Sequence, residues 1–383
     1  MGFLLDLEEE HQVPEPSRVM RPCIFRERAT LEGLTEDEVV RRYRLNRATI
    51  SSLYELLEPS LQPLTRRSRA VPGMVKLLCS LHFLATGSFQ RVGGVSQPSF
   101  SWCLGQVLDT IHSVSGNFIS FPQNWNEWNA VKRQFYGVTG IPSVLGHILR
   151  NRQGYHSLNV QVVCDAHMNI LSIVSGFPGS SHDAYILRQS TLYHSFETGQ
   201  MPHGWLLGDA GYPCSRWLIT PIHRPRTQAE CAFNEAHVRA RSVIERTFGV
   251  LKSRFRCLDK SEGSLMYSPS NVSNIVAACA VLQNLANRHG LPCDVADDLE
   301  DPIHPQDPVR GADARGNEVR GQIVNNYFSC KYLQSLIPYT RNTKQQKKKV
   351  YLQGTHFQKK WFEQVIPHLH TNRKNRKKDL QTT

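Results

Sequence analysis

Two acidic residues have the sequence context of catalytic carboxylates. The first, Asp209, ends an apolar run that begins at Trp205 and is followed at once by Gly-Tyr-Pro. This pattern is typical of a buried strand that stops at a tight turn. We therefore expect the strand end to present the carboxylate of Asp209 rather than bury it. An Asp that only caps the turn is the alternative, and a second carboxylate further along the chain favours a chemical role.

That second carboxylate, Glu245, lies in a segment with helical periodicity. Apolar residues recur there at intervals of four, three and four, which places them on one face of a helix. They are Ile244, Phe248, Leu251 and Phe255. Glu245 borders this face, and Gly249, which costs about 1 kcal/mol relative to Ala in a helix, would leave room for a metal ion or a phosphate. A solvated glutamate paired with Arg241 or Lys252 is the alternative.

The spacing of the two carboxylates resembles a known catalytic core. Thirty-five residues separate Asp209 from Glu245, and basic residues follow the glutamate. A strand-end Asp, this gap and a helical Glu resemble cut-and-paste transposases. Five motifs in order resemble, more narrowly, the Harbinger transposase-derived nuclease family, over roughly residues 30 to 328. They are GYHSLN (154–159), GSSHD (179–183), LGDAGY (207–212), SRFRCL (253–258) and VLQN (281–284).

The resemblance implies a fold and a chemistry. The fold would be α/β: a ribonuclease H-like mixed sheet of strands 158–164, 169–175, 205–209 and 218–222 with flanking helices, after an all-α helix-turn-helix-like domain. The activity would be hydrolysis of DNA phosphodiester bonds with a divalent cation, Mg²⁺ or Mn²⁺. Asp209 and Glu245 would be catalytic metal ligands, and Asp183 an auxiliary acid or a helix N-cap. A Myb-like DNA-binding protein would be a partner.

One block of the family pattern is absent. In the family, the segment equivalent to residues 140–146 runs into a strand that bears the first of three catalytic Asp residues. Here Gly146 passes directly to His147, so we expect that Asp and its strand to be missing and the sheet to have an unpaired edge. The block is either a genuine loss or an exon left out of this form of the chain.

The absent Asp bears on catalysis. Two-metal hydrolysis needs carboxylates that bridge and flank both ions, and Mg²⁺ requires near-octahedral oxygen ligands. With Asp209 and Glu245 alone, one ion would be held weakly and we expect little strand cleavage. The rival hypothesis is a noncatalytic domesticated transposase that acts as a DNA- or protein-binding scaffold.

Two regions are candidates for contact with DNA. After Ser96, a capped helix resembles the second helix of a helix-turn-helix unit, which would enter the major groove. The residues near its exposed start are Gln97, Ser99 and Ser101. A plain helical packing module is the alternative. Beside Glu245, a basic stretch could follow the phosphate backbone, through Arg246, Arg254 and Arg256.

Composition and charge limit the remaining possibilities. The chain has 383 residues, 40% of them hydrophobic, and a net charge of +12, which allows one large core or two smaller ones. The ten cysteines have no Cys-x-x-Cys spacing, which favours reduced thiols over structural zinc. The N-terminus lacks the pattern of a signal peptide. We expect an intracellular protein with no membrane partner and no small-molecule cofactor.

The charge is concentrated at the C-terminal end. From residue 329 to 383 there are 13 Lys or Arg residues and two acidic residues, so this tail supplies 11 of the 12 net charges. We predict a flexible leader (1–30), a helical DNA-binding domain (31–135), the nuclease domain (136–290), a linker and helix (291–328) and the basic tail (329–383). Basic clusters in the tail favour nuclear import, and we expect the protein in the nucleus and also the cytoplasm.

Overall fold

The computed structural model describes residues 27–63, 70–88, 94–151, 158–259, 267–292 and 313–329. The predicted basic tail, nearly all of the leader and the first four residues of the GYHSLN motif lie outside these ranges. The described helices are α1 (Glu36–Tyr43), α2 (Arg47–Leu61), α3 (Gly73–Thr86), α4 (Gln97–Ser113), α5 (Trp125–Thr139), α6 (Asp183–Arg188), α7 (Thr191–Glu197), α8 (Gln228–Arg254), α9 (Pro269–Arg288) and α10 (Ala314–Tyr327). None of these helices is long and apolar enough to cross a membrane.

Five strands form one mixed sheet. They are β1 (Val144–Asn151), β2 (Leu158–Cys164), β3 (Ile170–Pro178), β4 (Trp205–Gly208) and β5 (Leu218–Ile219). The spatial order is β3-β2-β1-β4-β5. β1 pairs antiparallel with β2 and parallel with β4, β2 pairs antiparallel with β3, and β4 pairs parallel with β5. With helices packed on the sheet, this architecture confirms the predicted ribonuclease H-like α/β fold.

The expectation of a missing first strand is wrong. β1 is the central strand of the sheet, and the residues after Gly146 supply its second half. They can do so because Ile148 and Leu149 alternate between two buried clusters on the two faces of the sheet, as a fully buried strand requires. Gly146 allows close packing, since a Cβ there would lie 2.8 Å from a methyl carbon of Val163.

Helix α8 covers one face of the sheet. It begins at a capping box in which Thr227 and Glu230 each bond the other's backbone N–H, which satisfies two donors of the first turn. Its buried residues share a cluster with one residue from each of three strands. Those strand residues are Val144, Leu207 and Ile219, and the α8 residues are Phe233, Ala236 and Ala240. The long helix is thereby fixed across β1, β4 and β5.

Helices α1 to α4 share their hydrophobic core with the end of α8 and with α9. A capping box between Thr35 and Glu38 opens α1, and Ser96 caps α4 as predicted. α2 contains Pro59 and ends at Leu61. Within the described residues, the helical region therefore packs on the nuclease region rather than around a separate core.

A side-chain amide replaces a neighbouring strand at the β3 edge. Asn284 Oδ1 accepts a hydrogen bond from the N–H of Ile170 at 2.8 Å, and Nδ2 donates to the carbonyl oxygens of Ile170 at 2.7 Å and Phe118 at 2.9 Å. Asn284 is buried. Because buried backbone groups must be paired, this amide joins α9 to the first residue of β3.

We expect Asn284→Ala to lower the free energy of unfolding by about 2–3 kcal/mol, because it leaves the two buried backbone groups of Ile170 and the half-buried carbonyl of Phe118 without their partner. The measurement is urea unfolding of the full chain. Asn287→Ala is the matched control: its half-buried amide makes longer bonds, at 3.2 and 3.4 Å, to the same hairpin. A similar loss in both variants would contradict the role of Asn284.

Two buried histidines face each other between the sheet and α8. His147 on β1 and His237 on α8 have ring centroids 5.6 Å apart. Burial lowers the pKa of His237 to about 4 and that of His147 well below its usual value. The positive charge of Arg241 lowers both further. Both rings are therefore neutral in the folded protein near neutral pH.

The histidine pair predicts acid sensitivity. In the unfolded chain each histidine takes up a proton near pH 6.5, whereas the folded chain excludes it until about pH 4 for His237. Stability is therefore full above about pH 6.5 and falls toward pH 4, by up to about 1.4 kcal/mol per pH unit for each histidine. Urea unfolding at pH 7, 6 and 5 measures this slope. His237→Gln should flatten it, and an unchanged slope would refute the assignment.

Candidate functional site

The parallel pairing of β1 with β4 sets the geometry of the candidate site. His147 lies opposite Leu207 and Ile148 opposite Gly208. The next position brings Leu149 opposite Asp209, which follows directly after β4. Matched residues of a parallel pair point to the same face, and Leu207 packs against α8. Leu149 is therefore directed toward the face that α8 covers, where it shares a cluster with Val243 and Ile244.

Asp209 lies at a tight turn, as the sequence indicated, but it is buried. Its Oδ1 accepts a hydrogen bond from the N–H of Gly211 at 3.0 Å, and its carbonyl oxygen accepts one from the N–H of Tyr212 at 3.2 Å. Only 3% of the residue is exposed. The carboxylate thus stabilises the turn and is held at the end of β4, but it is not presented to solvent as expected.

Asp183 and Asp209 both lie near the phenol of Tyr212. Burial raises the pKa of Tyr212 well above its usual value, and the charges of Asp183 and Asp209 raise it further. The hydroxyl of Tyr212 donates a hydrogen bond to Oε1 of Gln161 at 3.2 Å. Two buried carboxylates therefore act on one buried phenol, which remains protonated.

The N-cap alternative for Asp183 is wrong. The N-cap of α6 is His182, which makes no side-chain capping bond, and Asp183 is the first residue of the helix. Asp183 is 3% exposed, so it points into the protein. The role of Asp183 as an auxiliary acid stays a prediction.

Glu245 lies on the exposed side of α8. Its Oε1 accepts a hydrogen bond from Nε of Arg241 at 2.7 Å, with 47% of the Glu245 side chain exposed. This is the helix-face pairing that the sequence left as the alternative. An exposed pair of this spacing contributes about 0.3–0.5 kcal/mol, so a stronger ligand could displace the arginine.

The structure does not bring the three predicted metal ligands into one cluster. In the described parts of the chain, no group of three or more His, Cys, Asp or Glu residues is arranged to hold a metal ion. Asp183 and Asp209 share Tyr212 as a neighbour, whereas Glu245 is engaged by Arg241. The two buried carboxylates thus share one neighbour, and the exposed Glu245 is apart from them in its pairing.

The predicted DNA-contact residues differ in exposure. Gln97 and Ser101 are exposed at the start of α4, and Arg246 and Arg256 are exposed as well. Ser99 is half-buried, and its hydroxyl lies 2.8 Å from that of the cap residue Ser96.

Arg254, in contrast, is buried inside the protein. Its guanidinium donates to Oε1 of Gln283 at 2.9 Å and to the carbonyl oxygen of Leu291 at 2.9 Å. Only 3% of Arg254 is exposed. This arginine joins α8 to the end of α9, and its position does not offer the charge to a phosphate.

Asn159 positions the site, although the sequence analysis gave it no individual role. The residue is fully buried. Its Nδ2 donates to the carbonyl oxygens of Pro178 at 2.9 Å and Ser181 at 3.1 Å. These bonds fix the loop between β3 and α6 and hence the position of Asp183. An amide side chain near the start of a largely apolar strand was the available signal.

Comparison with known proteins decides the family. Residues 144–284 match the family described as DDE superfamily endonuclease. The chain is 37% identical to "Putative nuclease HARBI1" of Bos taurus and 36% identical to that of Homo sapiens, each over 327 residues that cover 79% of this chain and 94% of the relative. The chain belongs to the Harbinger transposase-derived nuclease family. "Protein ALP1-like" of Arabidopsis thaliana is 24% identical over 226 residues, 50% of this chain and 54% of that protein. No solved structure matches.

Membership in this family makes the residue type at position 149 informative. The family pattern places an Asp on the first strand, shortly after the glycine equivalent to Gly146. In this chain the strand is present, and the residue after Ile148, which pairs with Gly208, is Leu149, 7% exposed. It belongs to the same buried cluster as Val243 and Ile244, the residue before Glu245. An apolar side chain therefore follows the last paired position of β1 with β4.

We expect Leu149→Asp to be destabilised without metal and to be stabilised by Mg²⁺ or Mn²⁺, because a cation would compensate the buried charge. The measurement is the melting temperature as a function of metal concentration. Leu149→Asn is the matched control, similar in size and polar but uncharged. The Leu149→Asn variant should be less stable than the wild type, and adding metal should not restore its stability. A metal response that is equal in both variants would contradict the placement.

Proposed function

We propose that this chain is a divalent-metal-dependent nuclease of transposase descent that hydrolyses phosphodiester bonds of DNA. The supporting observation is the pair Asp183 and Asp209, two buried carboxylates that both act on Tyr212 at the end of β4. A buried carboxylate is costly when it is ionised and uncompensated. A bound cation would offset this cost, so we propose that the pair serves one divalent ion.

The donor set fits the hard cations that family members generally use. Mg²⁺ prefers oxygen ligands and is often bound by one or two carboxylates while it keeps several waters, which Asp183 and Asp209 could satisfy. Glu245 would add a third oxygen ligand if it left Arg241. When bound, such an ion polarises a phosphate oxygen and lowers the pKa of a bound water.

Side chains of the chain would orient the substrate. The exposed guanidinium groups of Arg246 and Arg256 lie on and just after α8, where they can contact phosphates. Gln97 and Ser101 are exposed at the start of α4, where they can contact a duplex. Because Leu149 supplies no oxygen ligand, we propose that cleavage is slow.

A noncatalytic scaffold is the second candidate. Two observations favour it: the apolar side chain of Leu149 opposite Asp209, and the ion pair that occupies Glu245. Such a protein would keep the fold and the DNA-contacting surfaces without strand cleavage. A Myb-like DNA-binding protein remains a proposed partner for either candidate, and the nucleus is the proposed place of action.

Metal titration of the full chain by calorimetry, together with nicking of supercoiled DNA, separates the two candidates. We expect Mg²⁺ or Mn²⁺ to bind and to support slow nicking that the double variant Asp209→Asn, Glu245→Ala loses. Asp209→Asn keeps the oxygen that bonds Gly211 but removes the charge. Glu235→Ala, at an exposed glutamate on the same helix, is the matched control and should nick at the wild-type rate.

Other outcomes assign the function differently. Binding of DNA without metal binding or nicking would establish the scaffold. Nicking that survives the double variant would show that the cleavage comes from elsewhere and would exclude Asp209 and Glu245 as its source.

A further inference from the structure

One end of the sheet gathers the candidate site and an exposed aromatic ring. β1 and β4 are parallel, so both end there, and Asp209 follows β4. β2 runs antiparallel to β1 and therefore begins there, and β3 ends there because it runs antiparallel to β2. Phe177, near the end of β3, and the loop that leads to Asp183 are consequently at the same end as Asp209.

The exposed ring belongs to Tyr185 on α6. It is 54% exposed, although Asp183, two residues earlier, is buried. Its ring meets that of Phe177 edge to face, with centroids 6.1 Å apart and an interplanar angle of 85°. The amide of Asn159 fixes the intervening loop through Pro178 and Ser181. Tyr185 is therefore supported from one side and open to solvent on the other.

Such a ring suits a flat ligand. Single exposed apolar residues need no explanation, but this one lies two residues from Asp183, which shares the buried neighbour Tyr212 with Asp209. Aromatic side chains stack on nucleobases of any sequence, because every base has a π-face. Arg188 is exposed in the last turn of α6, where a guanidinium could contact the adjoining phosphate.

We propose that Tyr185 is a base-stacking residue, which holds one unpaired nucleobase of the DNA strand that lies across Asp183 and Asp209. This inference rests on the proposed function for its substrate class. It adds a preference: at this site, a strand with an unpaired base binds more tightly than an intact duplex, whose bases are stacked on each other and cannot reach the ring.

The test measures DNA binding rather than cleavage. Fluorescence anisotropy of the full chain with a short oligo-dT, and with a duplex of equal length, is recorded with Ca²⁺ in place of Mg²⁺. We expect Tyr185→Ala and Tyr185→Leu to weaken single-strand binding about 5- to 150-fold. Tyr185→Phe keeps the ring and should stay within about twofold of wild type. Duplex binding should change little in all three.

A second readout separates stacking from general contact. An oligonucleotide that contains 2-aminopurine should lose fluorescence on binding to the wild type and to Tyr185→Phe, because stacking quenches this base, but not on binding to the Ala or Leu variant. Equal losses of single-strand and duplex binding, unchanged binding in the Ala variant, or no single-strand binding by the wild type would each overturn the proposal.

The measurements distinguish a failure of the nuclease proposal from a failure of the stacking proposal. If the wild type binds single strands in the expected manner but never nicks DNA, the stacking role stands and the nuclease proposal fails. If nicking depends on Asp209 but Tyr185→Ala binds DNA normally, the nuclease proposal stands and the stacking role fails.

Discussion

The pairing of β1 with β4 determines most of what this site can do. β1 is the one strand of the described sheet that pairs antiparallel on one side and parallel on the other. Its register with β4 brings the residue after Ile148 opposite Asp209. α8 then packs across both strands through its buried residues, whereas Glu245 lies on its exposed side. A change of one residue in this register would reverse which β1 side chains face α8.

At position 149, an apolar side chain favours packing, whereas metal binding would call for a carboxylate. Leu149 joins a cluster with Val162, Val243 and Ile244, and burying a leucine contributes roughly 1.5–3 kcal/mol. A carboxylate there would lose that contribution and would need a cation to compensate its charge. The ion pair between Arg241 and Glu245 likewise gives this glutamate a charge partner within the chain. In the proposed site, a metal would therefore compete with contacts that the fold already makes.

Much of the fold could be predicted from the sequence, because local signals and tertiary context agree. The capped start of α4 and strands β2 to β5 follow from such signals, with errors of a few residues at strand ends. β1 was missed because an absent block of the family pattern was equated with an absent strand. The residues after Gly146 still supply a central strand, in which Ile148 and Leu149 pack on opposite faces and pair with β2.

Burial could not be predicted in the same way. Asp209, Asp183 and Arg254 have the residue types of an exposed site, and each is 3% exposed. Whether a charged side chain faces solvent depends on what packs over it, and here that is set by contacts between residues far apart in sequence. Arg254, for example, donates to the carbonyl oxygen of Leu291, 37 residues away.

The motifs that reveal the family are mainly those that hold the scaffold together. Asn284 of VLQN bonds the β3 edge, Arg254 of SRFRCL joins α8 to α9, and Asn159 of GYHSLN fixes the loop before α6. Each leaves buried polar groups unpaired if it is lost, so these residues stabilise the fold whether or not the chain cleaves DNA. Their presence therefore supports the fold strongly, whereas the proposed chemistry rests on other residues, Asp209 and Glu245. A scaffold of this kind can keep these structural motifs independently of cleavage.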